Sequence, residues 1–141
     1  MPFNLDPSTP FGERVERRLR NELILWLTTT RADLTPLPTP VWFLWDGQSL
    51  LIYSQPDRLK LRNIAKRPRV ELNFNGDRYG NDIIVITGDA ALDPTAPSAA
   101  ALPGFSEKYR EGISSLGVTP EGFAADYSVA LRVTPTELHG H

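Results

Sequence analysis

Residues 40–74 read PVWFLWDGQSLLIYSQPDRLKLRNIAKRPRVELNF, and the spacing of their apolar side chains changes twice. Two apolar runs, 41–45 and 50–54, come first and are separated by the tetrapeptide DGQS. Asp-Gly supplies the positive φ that a tight reversal needs, so these runs predict a β-hairpin. The last five residues, 70–74, alternate apolar and polar side chains, which is typical of a strand with one solvated face.

A short, highly charged helix is predicted between the hairpin and this strand. Leu61, Ile64 and Ala65 share one helical face, and Pro68 ends the helix. Six basic residues crowd into positions 57–69 of a chain whose net charge is −2: Arg58, Lys60, Arg62, Lys66, Arg67 and Arg69. This density leaves two interpretations open, an exposed helix that is solvated by its charges or a site for an anion.

The placement of the helix directly after a strand favours the anion site. Backbone N–H groups in the first turn of a helix have no intrahelical partner and carry partial positive charge. The Ser54 hydroxyl, Lys60 and these N–H groups can therefore converge on one phosphate. No particular role is assigned to Arg69.

Upstream of residue 40 the sequence predicts a helix, a strand and a constrained loop. Thr9-Pro10 combines a capping residue with a proline at the first helical position, which predicts a helix over about 10–20. Apolar and β-branched residues then predict a strand over 22–30. The segment RADLTPLPTP, 31–40, is expected to be a loop because its three prolines are incompatible with a central strand.

Downstream of residue 74 the sequence predicts one long strand, a helical insertion and a final strand. The long strand covers about 82–93, with a bulge or bend at Gly88. Helices are expected within about 105–126, and the last strand lies within 127–138. Strands joined mainly by hairpins favour a small antiparallel barrel over about 22–93 and 127–138, in a single domain of residues 1–141.

Composition excludes several classes of protein. The chain has no cysteine, so disulfides and thiolate metal sites are absent and a reducing cytoplasm is the expected location. Its longest apolar runs are too short to cross a bilayer, which predicts no membrane contact. A pI near 5.7 argues against a nucleic-acid partner. No metal is predicted either, because the terminal pair His139 and His141 is expected to fray.

The apolar strands raise the question of what covers their second face. The runs LILWL and VWFLW are apolar on both faces, and they contain all three tryptophans, Trp26, Trp42 and Trp45. One face can serve the core, while the other needs a second subunit or a flat aromatic ligand. These strands therefore predict a homodimer.

The order and spacing of the pieces resemble a known superfamily. The segment 40–74 followed by IIVITGDAAL is similar to the split-barrel flavin-binding proteins of the pyridoxamine 5′-phosphate oxidase-like superfamily. TTTRADLTPLPTPVWF and GFAADYSVALRVTPTEL are most similar to its actinobacterial branch, which binds the deazaflavin coenzyme F420. The resemblance covers about residues 20–138 and implies a six-stranded antiparallel split β-barrel with short flanking helices.

The resemblance also implies which residues hold the cofactor. The strand around Trp42 lies along the flavin ring, the end of the next strand meets the ribityl phosphate, and Lys60 matches the phosphate-binding lysine. The start of the long strand reaches the cofactor from the partner subunit, so that the site is shared across a dimer. With Asn63, which shares an edge of the helix with Lys60, the predicted site comprises Pro40, Val41, Trp42, Tyr53, Ser54, Arg58, Lys60, Asn63, Asn81 and Asp82.

The expected activity is hydride transfer from a deazaflavin to a small conjugated organic acceptor. The C-terminal arginine and histidine motif of the pyridoxamine-phosphate oxidases has no counterpart here, which argues against that reaction. Arg62, Lys66 and Arg67 suit the acidic tail of coenzyme F420, with FMN as the alternative cofactor. A binding protein for a flavin, deazaflavin or haem is the second hypothesis. No catalytic residue is assigned, although Tyr79 and Tyr109 are candidate proton donors.

Overall fold

A computed structural model describes residues 2–141 and shows one antiparallel sheet of seven strands with five helices. The helices span Pro10–Asn21 (α1), Leu59–Lys66 (α2), Pro103–Lys108 (α3), Arg110–Ser115 (α4) and Pro120–Asp126 (α5). The strands span Leu25–Thr30 (β1), Pro36–Val41 (β2), Leu44–Trp45 (β3), Leu50–Ser54 (β4), Arg69–Asn73 (β5), Ile84–Leu92 (β6) and Val129–Gly140 (β7). Helices α3–α5 are called the insertion below.

The sheet forms a half-barrel rather than a closed ring. Neighbouring strands follow the order β2-β1-β5-β6-β7-β4-β3, and each pair is antiparallel. The two end strands, β2 and β3, are consecutive in the chain and are joined only by Trp42 and Phe43. Side chains from one face of the sheet form the main core, together with Val15 and Leu19 of α1. Residues 42–43 therefore connect the two edge strands of the half-barrel.

The prediction of six strands is wrong, because residues 36–45 form two strands rather than a loop and a strand. Pro36, Pro38 and Pro40 lie opposite Thr30, Thr28 and Trp26 of β1. Since their spacing is two, all three imino groups point away from β1, and the residues between them supply the N–H donors of the ladder. The sheet tolerates this pattern because β2 is an edge strand.

The predicted hairpin, helices α1 and α2 and the bulge are confirmed. Gly47 in the β3–β4 turn has a φ of 96°, and the Thr9 hydroxyl caps α1 by accepting from Gly12 N–H at 3.0 Å. The pairing of β6 with β7 shifts its register between Thr87 and Gly88. A side chain at Gly88 is excluded, because a Cβ there would lie 2.8 Å from Val133 Cγ1 and 2.9 Å from the Thr134 carbonyl oxygen.

The insertion covers the second apolar face that the sequence left open. The helices expected within about 105–126 are three short ones, α3, α4 and α5. Their apolar side chains join Leu51 and Tyr53 of β4 in a second, aromatic-rich cluster, against which Trp42 packs. Trp45 lies in the main core. The outer face of residues 41–45 is thus covered by the same chain. Of the three tryptophans, Trp26 is the one whose position still supports a partner subunit.

Two findings concern membranes and the end of the chain. Across residues 2–141, none of the helices combines the length and the apolarity that crossing a bilayer requires. The expected fraying of the C-terminus is wrong, because β7 continues to Gly140 and His141 exchanges two backbone hydrogen bonds with Ile83. His139 lies 3.3 Å from Glu137 Oε2.

Candidate functional site

A cavity of about 240 Å³ opens where the end of β2, β4, α2 and the insertion meet. Five of the predicted cofactor contacts line it: Pro40, Val41, Trp42, Tyr53 and Lys60. The rest of its wall is supplied by Leu116, Phe123 and Tyr127, which come from the insertion and the residue after it. It is called the aromatic cavity below. The structure therefore brings together half of the ten residues that sequence reasoning selected.

Trp42 is held at the wall of this cavity by a stack of aromatic rings. Its ring lies 4.5 Å from that of Tyr109 at an angle of 8°, and 5.3 Å from that of Phe123 at 22°. Tyr127 extends the stack, since its ring lies 4.4 Å from that of Phe123 at 11°. These contacts fix the ring of Trp42 relative to the insertion.

The backbone next to Trp42 is fixed by side chains of the insertion. Phe43 has left the β ladder, and its N–H donates to Tyr109 Oη at 2.8 Å. Its carbonyl oxygen accepts from Lys108 Nζ at 2.9 Å, and this ammonium also lies 3.7 Å from the centre of the Phe43 ring. These bonds replace the ladder partners that the chain gives up between β2 and β3.

Neither tyrosine that the sequence offered as a proton donor is suited to that role. Tyr109 is buried, and its hydroxyl donates to the Leu23 carbonyl oxygen at 2.6 Å. Burial raises the pKa of this hydroxyl above its usual value. A phenol in this setting holds its proton and supports the fold. Tyr79 is 76% exposed and lies under Arg78 in a turn, away from the aromatic cavity.

Among residues 2–141, Lys60 is the one cation that lines the aromatic cavity. Its side chain is half-buried, and loss of water lowers its pKa, with the nearby positive charge of Arg58 adding to the effect. No ion pair within residues 2–141 includes it. A desolvated ammonium without a counter-charge is stabilised by an anionic ligand, which would raise its pKa again.

The other residues predicted for the phosphate end are placed differently from Lys60. Tyr53 lines the cavity, but its hydroxyl donates to the Pro97 carbonyl oxygen at 2.7 Å. Ser54 is buried and donates to the carbonyl oxygen of Gln55 at 2.8 Å. Arg58 is exposed and donates to Gln55 Oε1. Convergence of Ser54 and Arg58 with Lys60 is therefore not present in this arrangement of the chain.

A second recess, called the basic groove below, lies between the β1–β2 turn and α2. It has a volume of about 620 Å³ and is lined by Arg31, Ala32, Asp33, Leu59, Arg62, Asn63, Ala65, Lys66 and Arg67. Two guanidinium groups are anchored there by backbone carbonyl oxygens, Arg62 by Asp57 at 2.9 Å and Arg67 by Thr30 at 2.8 Å. The groove contains all three residues that the sequence proposed for an acidic tail.

Asn63 belongs to the support of the groove rather than to its charge. It is buried, and its amide donates to Thr29 Oγ1 at 3.0 Å, which ties α2 to β1. Its predicted contact with a cofactor would require this bond to change. Lys60 and Asn63 thus share a helix edge, as expected, but face different surroundings.

Asn81 and Asp82 lie outside both recesses. Asp82 has a positive φ of 58° and is paired with Arg14 and Arg18 of α1 at 3.0 and 3.1 Å. The Asn81 backbone N–H donates to Asp77 Oδ1 at 2.9 Å in the β5–β6 turn. That Asn81 and Asp82 reach the cofactor of a partner subunit stays a prediction.

Sequence reasoning missed Leu116, Phe123 and Tyr127 in the cavity and Arg31 in the groove. Phe123 and Tyr127 are four residues apart, a spacing that puts two rings on one face of a helix. That signal was present, but nothing local shows that this face meets Trp42, about eighty residues earlier. Arg31 lies in a turn, where sequence offers no period to follow.

The donor set of the aromatic cavity fits a planar ring that carries an anionic group. Trp42, Phe123 and Tyr127 supply aromatic walls, and Lys60, which has no ion-pair partner within residues 2–141, supplies positive charge. Tyr53 and Val41 add apolar area. This combination of apolar walls with a single charged group is typical of small-molecule sites.

Comparison with known proteins shows which family the chain matches. Residues 11–141 match the family described as pyridoxamine 5′-phosphate oxidase. A solved structure named F420 reductase is 26% identical with a TM-score of 0.67, and the match covers 88% of this chain and 94% of that one. No curated protein sequence matches the chain.

Two further solved structures share the fold at lower identity. A candidate pyridoxamine 5′-phosphate oxidase from Listeria innocua is 21% identical, with a TM-score of 0.66 and coverage of 90% of this chain and 94% of that one. HutZ, the haem storage protein from Vibrio cholerae, is 14% identical, with a TM-score of 0.63 and coverage of 98% and 95%. Because the family match spans nearly the whole chain, the protein belongs to the pyridoxamine 5′-phosphate oxidase family.

Proposed function

We propose that the protein is an oxidoreductase that binds the deazaflavin coenzyme F420 and transfers a hydride to a small conjugated acceptor. The observation that carries the proposal is Lys60, a half-buried ammonium without an ion-pair partner in residues 2–141, in a cavity walled by Trp42 and Tyr53. The family membership and the F420 reductase at 26% identity support the same class of cofactor.

In this proposal the residues of the aromatic cavity bind and orient the cofactor. Lys60 pairs with its phosphate, close to the first turn of α2, which has neither a side-chain cap nor an acidic residue. Pro40, Val41 and Trp42 lie along its ring, and the rings of the insertion exclude water from the reacting face. When bound, the deazaflavin supplies the hydride, and the protein supplies position and electrostatics.

The basic groove is proposed to hold the acidic tail of this coenzyme. Arg62 and Arg67 each use part of the guanidinium group on a carbonyl oxygen and keep further N–H donors for carboxylates. Lys66 adds an exposed charge to the same groove, and so does Arg31, which lies 4.0 Å from Asp33 Oδ1. FMN has no such tail, so the groove favours the deazaflavin over FMN, which is the alternative cofactor.

We also propose that the protein is a homodimer whose cofactor site lies at the subunit interface. The supporting surface is the groove around Trp26, Pro38, Ile83 and Val85, where partly exposed apolar side chains lie on the outside of the sheet. Light scattering should give twice the monomer mass, and Trp26→Arg should shift it toward the monomer. A monomer at micromolar concentration would contradict both the dimer and the placement of the cofactor site at a subunit interface, but not cofactor binding in the aromatic cavity of one chain.

The experiment that tests the cofactor is titration of the purified protein with oxidised coenzyme F420 and with FMN, followed by tryptophan quenching. Trp42→Phe and Trp26→Phe are matched variants, since Trp42 lines the aromatic cavity while Trp26 donates to Asn75 Oδ1 elsewhere. Most of the quenching should be lost in Trp42→Phe and kept in Trp26→Phe, with F420 binding more tightly than FMN.

The possible outcomes separate the proposals. If FMN binds more tightly than F420, FMN is the cofactor of this site and the assignment of the deazaflavin is contradicted. Binding without any turnover of acceptors would favour the storage or carrier role, which the fold also serves in the haem storage protein. Indifference to both ligands would overturn the proposed function.

A further inference from the structure

A third recess lies beside the insertion and has no part in the proposed function. It has a volume of about 350 Å³ and shares the Trp42 side chain with the aromatic cavity. Leu23, which follows α1, adds apolar wall. Lys108 is the one lysine among residues 2–141 that lines this recess, which is called the lysine cavity below.

The amine of Lys108 is held by two contacts, both with Phe43. Lys108 ends α3 and is half-buried. Its Nζ donates to the Phe43 carbonyl oxygen at 2.9 Å and lies 3.7 Å from the centre of the Phe43 ring. Within residues 2–141 no carboxylate forms an ion pair with it. The ammonium therefore has neither full hydration nor a direct counter-charge.

The charges around Lys108 do not compensate for its burial. Loss of water lowers its pKa to about 8, and the Glu22 carboxylate only partly opposes this. Two carboxylates and one guanidinium also line the lysine cavity, those of Glu107, Glu111 and Arg110. Near neutral pH a sizeable fraction of the amine is thus unprotonated, and the unprotonated amine is the nucleophilic form.

We propose that Lys108 is a modification site, acylated on Nζ by thioesters of short, uncharged acyl groups. The neutral amine attacks the thioester carbonyl carbon, a C–N bond forms and the C–S bond breaks. The nitrogen gives up one proton and the departing thiolate takes one, so the products are an amide and a thiol. The cofactor takes no part in this reaction, so the inference is independent of the proposed function.

The product suits the lysine cavity better than the ammonium does. The amide nitrogen keeps one N–H, which can still donate to the Phe43 carbonyl oxygen, while the poorly hydrated charge is removed. Leu23 and Trp42 offer apolar surface to a short acyl chain. With Lys108 neutral, the carboxylates of the wall outnumber its guanidinium group, which disfavours acyl groups that carry their own carboxylate.

The test measures acetylation of the full chain by the acetyl thioester of N-acetylcysteamine, followed at each lysine by mass spectrometry of peptides. The chain has three lysines, Lys60, Lys66 and Lys108. Lys66 is exposed and serves as the internal reference, whereas Lys60 is half-buried like Lys108. At pH 7.5 Lys108 should react at least about fivefold faster than Lys66, because more of its amine is neutral. In urea that unfolds the protein, this difference should disappear.

The dependence on pH separates a reactive amine from a merely accessible one. Acetylation of Lys108 should accelerate up to about pH 8 and level off above it. Glu22→Gln removes the carboxylate that favours the ammonium, so it should speed the reaction of Lys108 about twofold at pH 7 and leave Lys66 unchanged. A succinyl thioester should show less preference for Lys108 over Lys66 than the acetyl thioester does.

Two results would overturn the inference. One is a rate at Lys108 equal to or below that at Lys66 in the folded protein. The other is a rate at Lys108 that keeps rising through pH 9.5, as for an ordinary exposed amine. Failure of the protein to bind F420 would contradict the proposed function and leave these expected rates unchanged.

Discussion

The two recesses beside helix α2 are built in opposite ways. The aromatic cavity is walled by stacked rings, and its one cation, Lys60, is half-buried. The basic groove is larger and more exposed, and two of its arginines are anchored only by backbone carbonyl oxygens. Burial strengthens each polar contact, whereas exposure lets water and salt screen it. The cavity should therefore determine which ligand binds, and the groove should tune its affinity.

The largest effect is expected from removing the hydroxyl that supports the wall of the aromatic cavity. Tyr109→Phe leaves the Phe43 N–H without its partner at 2.8 Å in a buried position. Unfolding in urea should show a loss of about 2–3 kcal/mol, since an unsatisfied buried donor is costly. Arg62→Ala in the groove is the matched surface change and should cost less than about 0.5 kcal/mol. Equal losses of unfolding free energy in Tyr109→Phe and Arg62→Ala would contradict the difference in burial between the aromatic cavity and the basic groove.

A smaller loss of stability is expected at the joint between α2 and β1. Asn63→Ala removes the buried hydrogen bond to Thr29 Oγ1 and should lower the free energy of unfolding by about 1–2 kcal/mol. Thr29→Val, on the other side of the bond, is the control. Because both changes break the same contact, the double variant should lose less than the sum of the two single losses. Simple additivity would show that the bond does not hold the helix.

The third prediction concerns pH and Lys108, whose ammonium lies against Phe43. Burial lowers the pKa of Lys108 to about 8 from a usual value of 10.5, and the Glu22 carboxylate only partly opposes this. Between these values the unfolded chain holds a proton that the folded chain has released. Stability should therefore rise with pH from 8 to about 10. Urea unfolding at pH 7.5, 8.5 and 9.5 should show a smaller rise in unfolding free energy for Lys108→Met than for the wild type. The same dependence on pH in both proteins would contradict the lowered pKa of Lys108.

The smallest effect is expected from the exposed charge of the basic groove. Lys66→Ala should weaken F420 binding by at most about fivefold, because an exposed ion pair contributes little. The loss should shrink in 0.5 M salt, and it should also shrink with a coenzyme whose tail carries a single glutamate. If the loss of F420 affinity depends on neither salt nor tail length, Lys66 acts through the fold rather than on the tail.

Sequence patterns predicted the parts of the fold that repeat at short range. The period of Leu61, Ile64 and Ala65 predicts α2, and the DGQS turn predicts the hairpin, because both signals come from neighbouring residues. The prolines of β2 misled the prediction, since a strand of alternating prolines is tolerated only at an edge, and edge position is a property of the whole sheet.

The candidate site was predictable only in part for the same reason. Lys60 and Trp42 lie close to the hairpin and the helix that local patterns define. The contact of Trp42 with Tyr109 joins residues 67 positions apart, and no local pattern reports it. Phe123 and Tyr127 were hidden in the same way, because their stack reaches Trp42 only in the folded chain.

The measurement that tests the account most directly is the dissociation constant of oxidised F420 for Lys60→Ala beside that for Lys66→Ala. Both changes remove one lysine of α2, and only Lys60 lines the aromatic cavity. Affinity should fall at least tenfold for Lys60→Ala and clearly less for Lys66→Ala. An equal or smaller loss for Lys60→Ala would show that the aromatic cavity does not hold the phosphate of the cofactor.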